Sequence, residues 1–88
     1  MPAQDSHDVS VLYFAALRDL TGTGEERIEL PGLPCPVSAL LQLLEQRHPP
    51  LSGRLAAVRV AVNEEFTDLD RSVQRGDVVA LIPPVSGG

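Results

Sequence analysis

The sequence contains no lysine: all seven basic residues are arginines, and 12 acidic residues bring the net charge to −5. Proteins that bind nucleic acid concentrate basic side chains on one surface, so this charge balance argues against a nucleic-acid partner. It favours a protein partner that presents a basic docking surface. The lack of lysine also means that an activated acyl group on the chain would meet no ε-amine of the same chain.

Cysteine and long apolar runs are scarce as well. Cys35 is the single cysteine, so no internal disulfide can form. No stretch approaches the roughly 20 apolar residues needed to span a bilayer. Residues 1–8 are polar and lack the basic region and apolar core of a secretory signal. We therefore expect a cytoplasmic protein without membrane association.

No combination of side chains in the sequence predicts catalysis by this chain alone. His7 lies in the polar N-terminal segment and His48 near the end of a predicted helix, and their spacing pairs neither with Cys35. Asp68 and Asp70 form a D-x-D pattern, but no glycine-bearing calcium loop follows. The glycine-rich motifs of nucleotide-binding loops are also missing. We predict no catalytic residue, no metal site and no bound cofactor.

The apolar patterning predicts one domain built from four or five strands and one main helix. Strands are expected in segments 9–17, 25–30, 58–62 and 77–82, and a helix within 36–50. Segments 18–24 and 67–77 are expected as a turn and an irregular connection. The first and last strands are the most apolar, so we expect them to be central neighbours, with the first strand at least partly covered on both faces.

This element order predicts an α+β fold, the ubiquitin-like β-grasp, in which a mixed sheet carries the helix on one face. The second strand is expected to pair antiparallel with the first. We divide the chain into a loose lead-in at residues 1–8, the β-grasp domain at 9–82 and an extended tail at 83–88.

The tail has the sequence PPVSGG, and its composition favours insertion into a partner. Pro83 and Pro84 pre-set an extended backbone, which reduces the entropy lost on ordering. Gly87 and Gly88 have no side chains and fit a narrow channel. The terminal carboxylate becomes an acyl donor once it is joined to AMP as a mixed anhydride. Considered alone, the tail could also be an idle terminus.

Two segments resemble a known family. They are VLYFAALRDLTG, residues 11–22, and VAVNEEFTDLDRSVQRGDVVALIPPVSGG, residues 60–88. Both are similar to the small subunits of molybdopterin synthase, the MoaD type of ubiquitin-like sulfur carrier. The chain departs from that family's usual pattern at Leu81 and Ile82, where aromatic residues are common, and at Cys35-Pro36, where the helix usually starts with Thr or Ser.

The resemblance implies a role for the terminal residue. An activating enzyme would adenylate Gly88 with ATP, and a sulfur donor protein would convert the adenylate to a thiocarboxylate. The loaded tail would then enter the large synthase subunit of a heterotetramer and donate sulfur to cyclic pyranopterin monophosphate. The catalytic residues would lie on the large subunit. The residues implied to insert are Pro83, Pro84, Val85, Ser86 and Gly87.

The resemblance also suggests docking residues beside the tail. These are Phe14, Arg18, Leu81 and Ile82. The alternative is a core position for the apolar ones and a solvated charge for Arg18. Because side chains alternate along a strand, only one of Leu81 and Ile82 can point inward.

Three other functions remain open. A related sulfur carrier for thiazole or cysteine synthesis or for tRNA thiolation would share the fold and the Gly-Gly ending. A ubiquitin-like modifier would attach its C-terminus to lysines of other proteins. An interaction domain would keep its binding when Gly88 is removed, whereas a carrier or a modifier would lose its function.

Overall fold

The structure is a computed structural model that describes residues 8–30 and 32–84 as a series of short strands and helices. The strands are β1 (Asp8–Tyr13), β2 (Glu25–Glu29), β3 (Cys35–Pro36), β4 (Arg59–Val62), β5 (Glu65–Thr67), β6 (Ser72–Val73) and β7 (Val78–Ile82). The helices are α1 (Ala16–Thr21) and α2 (Val37–Arg47), with single 3-10 turns at Pro49–Leu51 and Leu55–Ala57. Within the described ranges, no helix is long and apolar enough to cross a membrane.

Five of the strands form one mixed sheet in the order β2-β1-β7-β4-β5. β1 and β7 run parallel, with Tyr13 opposite Leu81, and the other neighbours pair antiparallel. The predicted adjacency of the first and last strands is therefore confirmed, as is the antiparallel pairing of β1 with β2. A mixed sheet of this order with one main helix confirms the predicted β-grasp fold.

The hydrophobic core lies between the inner face of this sheet and α2. Alternate residues of each strand point inward, as the period of two requires. The helix contributes a stripe at helical spacing, and Leu43 lies half-buried at its margin. The buried residues of the core are Val9, Val11, Tyr13, Leu17, Ile28, Leu30, Val37, Leu40, Leu41, Leu44, Leu51, Leu55, Val60, Val62, Val73, Val79 and Leu81.

Helix α1 contradicts the turn predicted over residues 18–24 and also the strand predicted to continue through residue 17, since β1 ends at Tyr13. It has six residues, buries only Leu17, and ends at Gly22, whose φ of 82° lies in the left-handed region. The hydroxyl of Thr21 donates to the carbonyl of Leu17 over 3.1 Å and closes the last turn. A helix that buries one residue leaves no apolar period in the sequence, which is why the pattern did not reveal it.

The small ladder of β3 and β6 was also missed. Cys35 pairs with Val73, and the amide of Val37 donates to the carbonyl of Arg71 over 2.9 Å. These contacts tie the connection before β7 to the start of α2. Pro36 lies at the N-cap with extended dihedrals and not inside the first helical turn. Strands of two residues are too short for alternation to reveal them.

Candidate partner-docking site

The predicted reactive tail leaves from the central strand of the sheet. β7 ends at Ile82, and the chain continues through Pro83, which is half-buried, and Pro84, which is exposed. Residues 85–88, including Gly88, lie outside the described residues, so their predicted roles stay predictions. We call residues 83–88 the arm. The described part of the chain shows that the arm begins at the middle of one end of the sheet.

A group of hydrogen bonds fixes the start of β7. The amide of Asn63 donates to the carbonyl of Val78 over 2.8 Å, and the amide of Val78 donates to Asn63 Oδ1 over 3.0 Å. Asn63 Nδ2 donates to Asp77 Oδ1 over 3.0 Å, and Asp77 Oδ2 accepts from the amide of Gln74 over 2.8 Å. Gly76 supplies the left-handed turn just before, at a φ of 86°. Asn63, Gly76 and Asp77, all within the second resembling segment, therefore set the position of β7, and with it the exit of the arm.

The face of the sheet opposite α2 is apolar along its middle. We call it the open face; its residues are Leu12, Phe14, Ala61, Phe66, Val78, Ala80 and Ile82. Both phenylalanines of the chain lie on it, and Phe14 and Phe66 remain 44% and 57% exposed. A continuous apolar surface of this kind on a small protein marks a site of interaction with another molecule.

The open face shows how far the predicted partial cover of β1 extends. On its outward side Leu12 is half-buried, and Phe14, just after the strand, is largely exposed. An apolar outer face can equally be one that a partner covers.

The predicted docking residues separate onto different surfaces. Phe14 and Ile82 lie on the open face, and Arg18 is exposed on α1. Leu81 is completely buried in the core, so its expected docking role is wrong: alternation along β7 turns it inward. Phe66 was missed, although an aromatic residue directly after the polar run Asn63-Glu64-Glu65 was a visible signal.

The two ends of the open face carry opposite charges. At the arm end, Arg59 lies opposite Ile82 in the β4–β7 register, and its guanidinium is 4.3 Å from the centroid of the Phe66 ring. This cation–π contact holds the arginine over the apolar surface. At the other end, near Val78, the surface is bordered by the carboxylate-bearing residue Glu64. The apolar open face therefore has a positive charge at the arm end and a negative charge at the opposite end.

The most densely bonded ionisable group lies elsewhere, between the sheet and the end of α2. The hydroxyl of Tyr13 donates to Glu26 Oε1 over 2.9 Å, His48 Nε2 lies 2.7 Å from the same oxygen, and Arg47 Nε donates to Oε2 over 2.7 Å. Burial alone would raise the pKa of Glu26, but these hydrogen bonds outweigh it and lower that pKa. Burial, followed by the bond to Glu26, raises the pKa of Tyr13. These contacts tie β1, β2 and α2 together, which is a structural role for His48.

The described residues offer a docking surface without reactive groups on it. Cys35 is half-buried away from the open face, and burial raises the pKa of its thiol, which disfavours the nucleophilic thiolate. Among residues 8–30 and 32–84, no cluster of His, Cys, Asp and Glu could hold a metal ion. What this arrangement can do is bind a partner and direct the arm towards it.

A β-grasp domain whose central strand leads into a sequence with a Gly-Gly pair is typical of ubiquitin-like proteins. Residues 11–88 match the ThiS family. A molybdopterin synthase sulfur carrier subunit from Phaeosphaeria nodorum is 42% identical over 90 residues, which cover 90% of this chain and 88% of that protein. The chain therefore belongs to the ThiS family, within the group of molybdopterin synthase sulfur carrier subunits.

Solved structures agree with this assignment. A structure from Pyrococcus furiosus described as molybdopterin converting factor subunit 1 is 36% identical with a TM-score of 0.81, covering 91% of this chain and all of that one. A second structure is a protein–protein complex of subunits 1 and 2 of molybdopterin-converting factor from Helicobacter pylori. One of its chains is 26% identical with a TM-score of 0.65, covering 92% of this chain and 99% of that one. Small archaeal modifier protein 1 from Haloferax volcanii is 28% identical with a TM-score of 0.80, covering 89% of this chain and 98% of that one.

Proposed function

We propose that this chain is the sulfur carrier subunit of a molybdopterin synthase in molybdenum cofactor biosynthesis and that Gly88 carries the sulfur. The observation that carries this proposal is the continuous match of residues 11–88 to the ThiS family, which includes the whole arm. The chain is a non-catalytic subunit in this account. The residues that catalyse the sulfur transfer belong to the large subunit.

The chemistry takes place on the C-terminal carboxylate. In the first step, an activating enzyme joins the carboxylate of Gly88 to AMP, and ATP loses pyrophosphate. Sulfide sulfur, supplied by a sulfur donor protein, then attacks the acyl carbon, AMP leaves, and Gly88 becomes a thiocarboxylate. In the synthase, that sulfur attacks a carbon of the pterin precursor and displaces an oxygen leaving group, and water then cleaves the acyl–sulfur bond, which leaves the sulfur on the pterin and restores Gly88 as a carboxylate. Two such rounds provide the two sulfurs of the dithiolene.

The large subunit is the partner that we propose for both the open face and the arm. Phe14 and Ile82 lie at the end of the open face from which Pro83 departs. A partner that covers these two side chains is therefore placed to receive the arm in the same contact. The Helicobacter pylori complex supports such an assembly for a relative of this chain. We propose a heterotetramer with two copies of each subunit.

Intact mass spectrometry tests the carrier function directly. The purified chain is incubated with the adenylating enzyme, ATP and a sulfur source, and the expected product gains the mass difference between one sulfur and one oxygen. Fragmentation should place the change on Gly88. A chain lacking Gly88 is the matched control and should remain unmodified with the same melting temperature. A wild-type chain that stays unmodified, with its C-terminus verified, would contradict the proposal.

A protein modifier is the second candidate, favoured by the similarity to small archaeal modifier protein 1. A modifier would join Gly88 to lysines of other proteins through isopeptide bonds. Incubation with the adenylating enzyme and ATP in a cell extract distinguishes the two functions. A ladder of covalent adducts that requires Gly88 would favour the modifier, whereas a carrier yields the free thiocarboxylated chain.

A further inference from the structure

The turn between β4 and β5 contains an unfavourable backbone position. Val62 pairs with Glu65, which leaves Asn63 and Glu64 as a two-residue hairpin turn. Both have positive φ angles, 54° and 72°, as a type I′ turn requires. Asparagine suits the first position of such a turn, but glycine is the usual residue at the second. Glu64 therefore holds a left-handed conformation, which is energetically unfavourable for a residue with a side chain.

Contacts within the chain do not explain why this position is glutamate. In the described part of the chain, its carboxylate has no hydrogen bond or ion pair. The neighbouring acids differ: Glu65 pairs with Arg71 over 3.4 Å, and Asp77 bonds Asn63 and Gln74. A side chain that strains the backbone and makes no hydrogen bond or ion pair with the described residues points to a contact with another molecule.

The location of Glu64 indicates what that contact is. It borders the open face beside Val78 and Phe66, at the end opposite Arg59 and the arm. We propose that Glu64 is a specificity-determining residue of the docking surface and that its carboxylate pairs with an arginine or lysine of the large synthase subunit. This inference rests on the proposed function, because it takes the large subunit as the occupant of the open face. A charge pair at the far end from the arm would fix the orientation of the sheet on the partner.

The test measures stability and binding for three variants of the full chain. Glu64→Gln keeps the size and backbone of the side chain but removes its charge. Glu64→Gly removes the side chain and suits the left-handed conformation. Glu45→Gln is the matched control, because it removes the same charge from α2, on the opposite side of the sheet. Binding to the large subunit of the same organism is followed by surface-immobilised kinetics at about 0.05 M and 0.5 M salt.

Glu64→Gln should bind about three- to tenfold more weakly at low salt, and the difference should shrink at high salt because the lost contact is ionic. Its melting temperature should match that of the wild type. Glu64→Gly should lose affinity equally but melt about 2–5 °C higher, since the strain is relieved. Glu45→Gln should bind as the wild type does.

Two results would overturn this inference while leaving the proposed function intact. The first is a Glu64→Gln variant that binds as tightly as Glu45→Gln. The second is a loss of affinity that salt does not diminish, which would exclude an ionic contact. A wild-type chain that does not bind the large subunit would overturn the inference and the assignment of the large subunit as partner together.

Discussion

Glu26 is the residue on which several elements of the fold depend. It lies on β2, yet it accepts hydrogen bonds from Tyr13 of β1 and from Arg47 at the end of α2, and it contacts His48. Its side chain is only 16% exposed, so these bonds are partly shielded from solvent. Hydrogen bonds to a charged group contribute more than those between neutral groups, which makes this carboxylate important for stability.

We expect Glu26→Gln to lower the free energy of unfolding at pH 7 by about 1–3 kcal/mol. Because the folded pKa of Glu26 lies below its unfolded value, the stabilisation is present above the unfolded pKa and is lost as the pH falls through the folded one. The difference in unfolding free energy between the wild type and Glu26→Gln should therefore become smaller below about pH 4. Urea unfolding at several pH values measures this. Glu29→Gln, at an exposed site of the same strand, is the control, and a gap that does not change with pH would contradict the account.

Among the elements, β7 has the greatest influence on function, because it connects the core to the arm. Its parallel neighbour β1 and antiparallel neighbour β4 fix its sides, and the hydrogen bonds of Asn63 fix its start. A strand held in register along its whole length places Pro83 at a defined point, in the middle of one end of the sheet. The start of the arm is therefore fixed relative to the open face.

Asn63→Gly tests this element, because glycine tolerates the φ of 54° and removes only the side-chain bonds. We expect a loss of about 1–2 kcal/mol in unfolding free energy, since the amide of Val78 loses its acceptor. Hydrogen exchange by NMR should show faster exchange at Val78, with Val11 as the internal reference in β1. Unchanged protection at Val78 would mean that Asn63 does not hold the start of β7.

In the described part of the molecule the sheet has two apolar faces, one buried by α2 and one, the open face, where we propose that a partner docks. Leu81 and Ile82 are adjacent on β7 but belong to different faces: Leu81 is 0% exposed, whereas Ile82 lies on the open face. A change in one should affect folding, and a change in the other should affect docking.

Leu81→Ala should therefore destabilise the fold by about 2–5 kcal/mol through the cavity it leaves. Ile82→Ala should change stability by less than about 1 kcal/mol but weaken binding to the large subunit about tenfold or more. Thermal unfolding and binding kinetics on both variants separate the two effects. Equal stability losses for the two variants, with Ile82→Ala still binding normally, would show that the open face is not the docking surface.

The sequence predicts those features of the fold that leave a regular pattern of buried apolar residues, and it does not predict the others. The inward positions of Val9 and Val11 and the stripe of α2 were predictable because alternation and helical spacing report burial directly. Helix α1 was not, since it buries only Leu17 and leaves no period. The apolar outward residues of β1 predicted partial cover on that face, but apolar alternation does not distinguish cover by the chain from cover by a partner. The importance of Gly88 came from the resemblance and not from any pattern of burial.

The central claim is that sulfur moves from Gly88 to a pterin held by the large subunit. The most direct test uses the thiocarboxylated chain, the large subunit and cyclic pyranopterin monophosphate in a single-turnover reaction. The account predicts that the chain returns to its carboxylate mass as sulfur appears in the pterin, one atom for each chain consumed. A thiocarboxylated chain that binds the large subunit but keeps its sulfur in the presence of the precursor would contradict it.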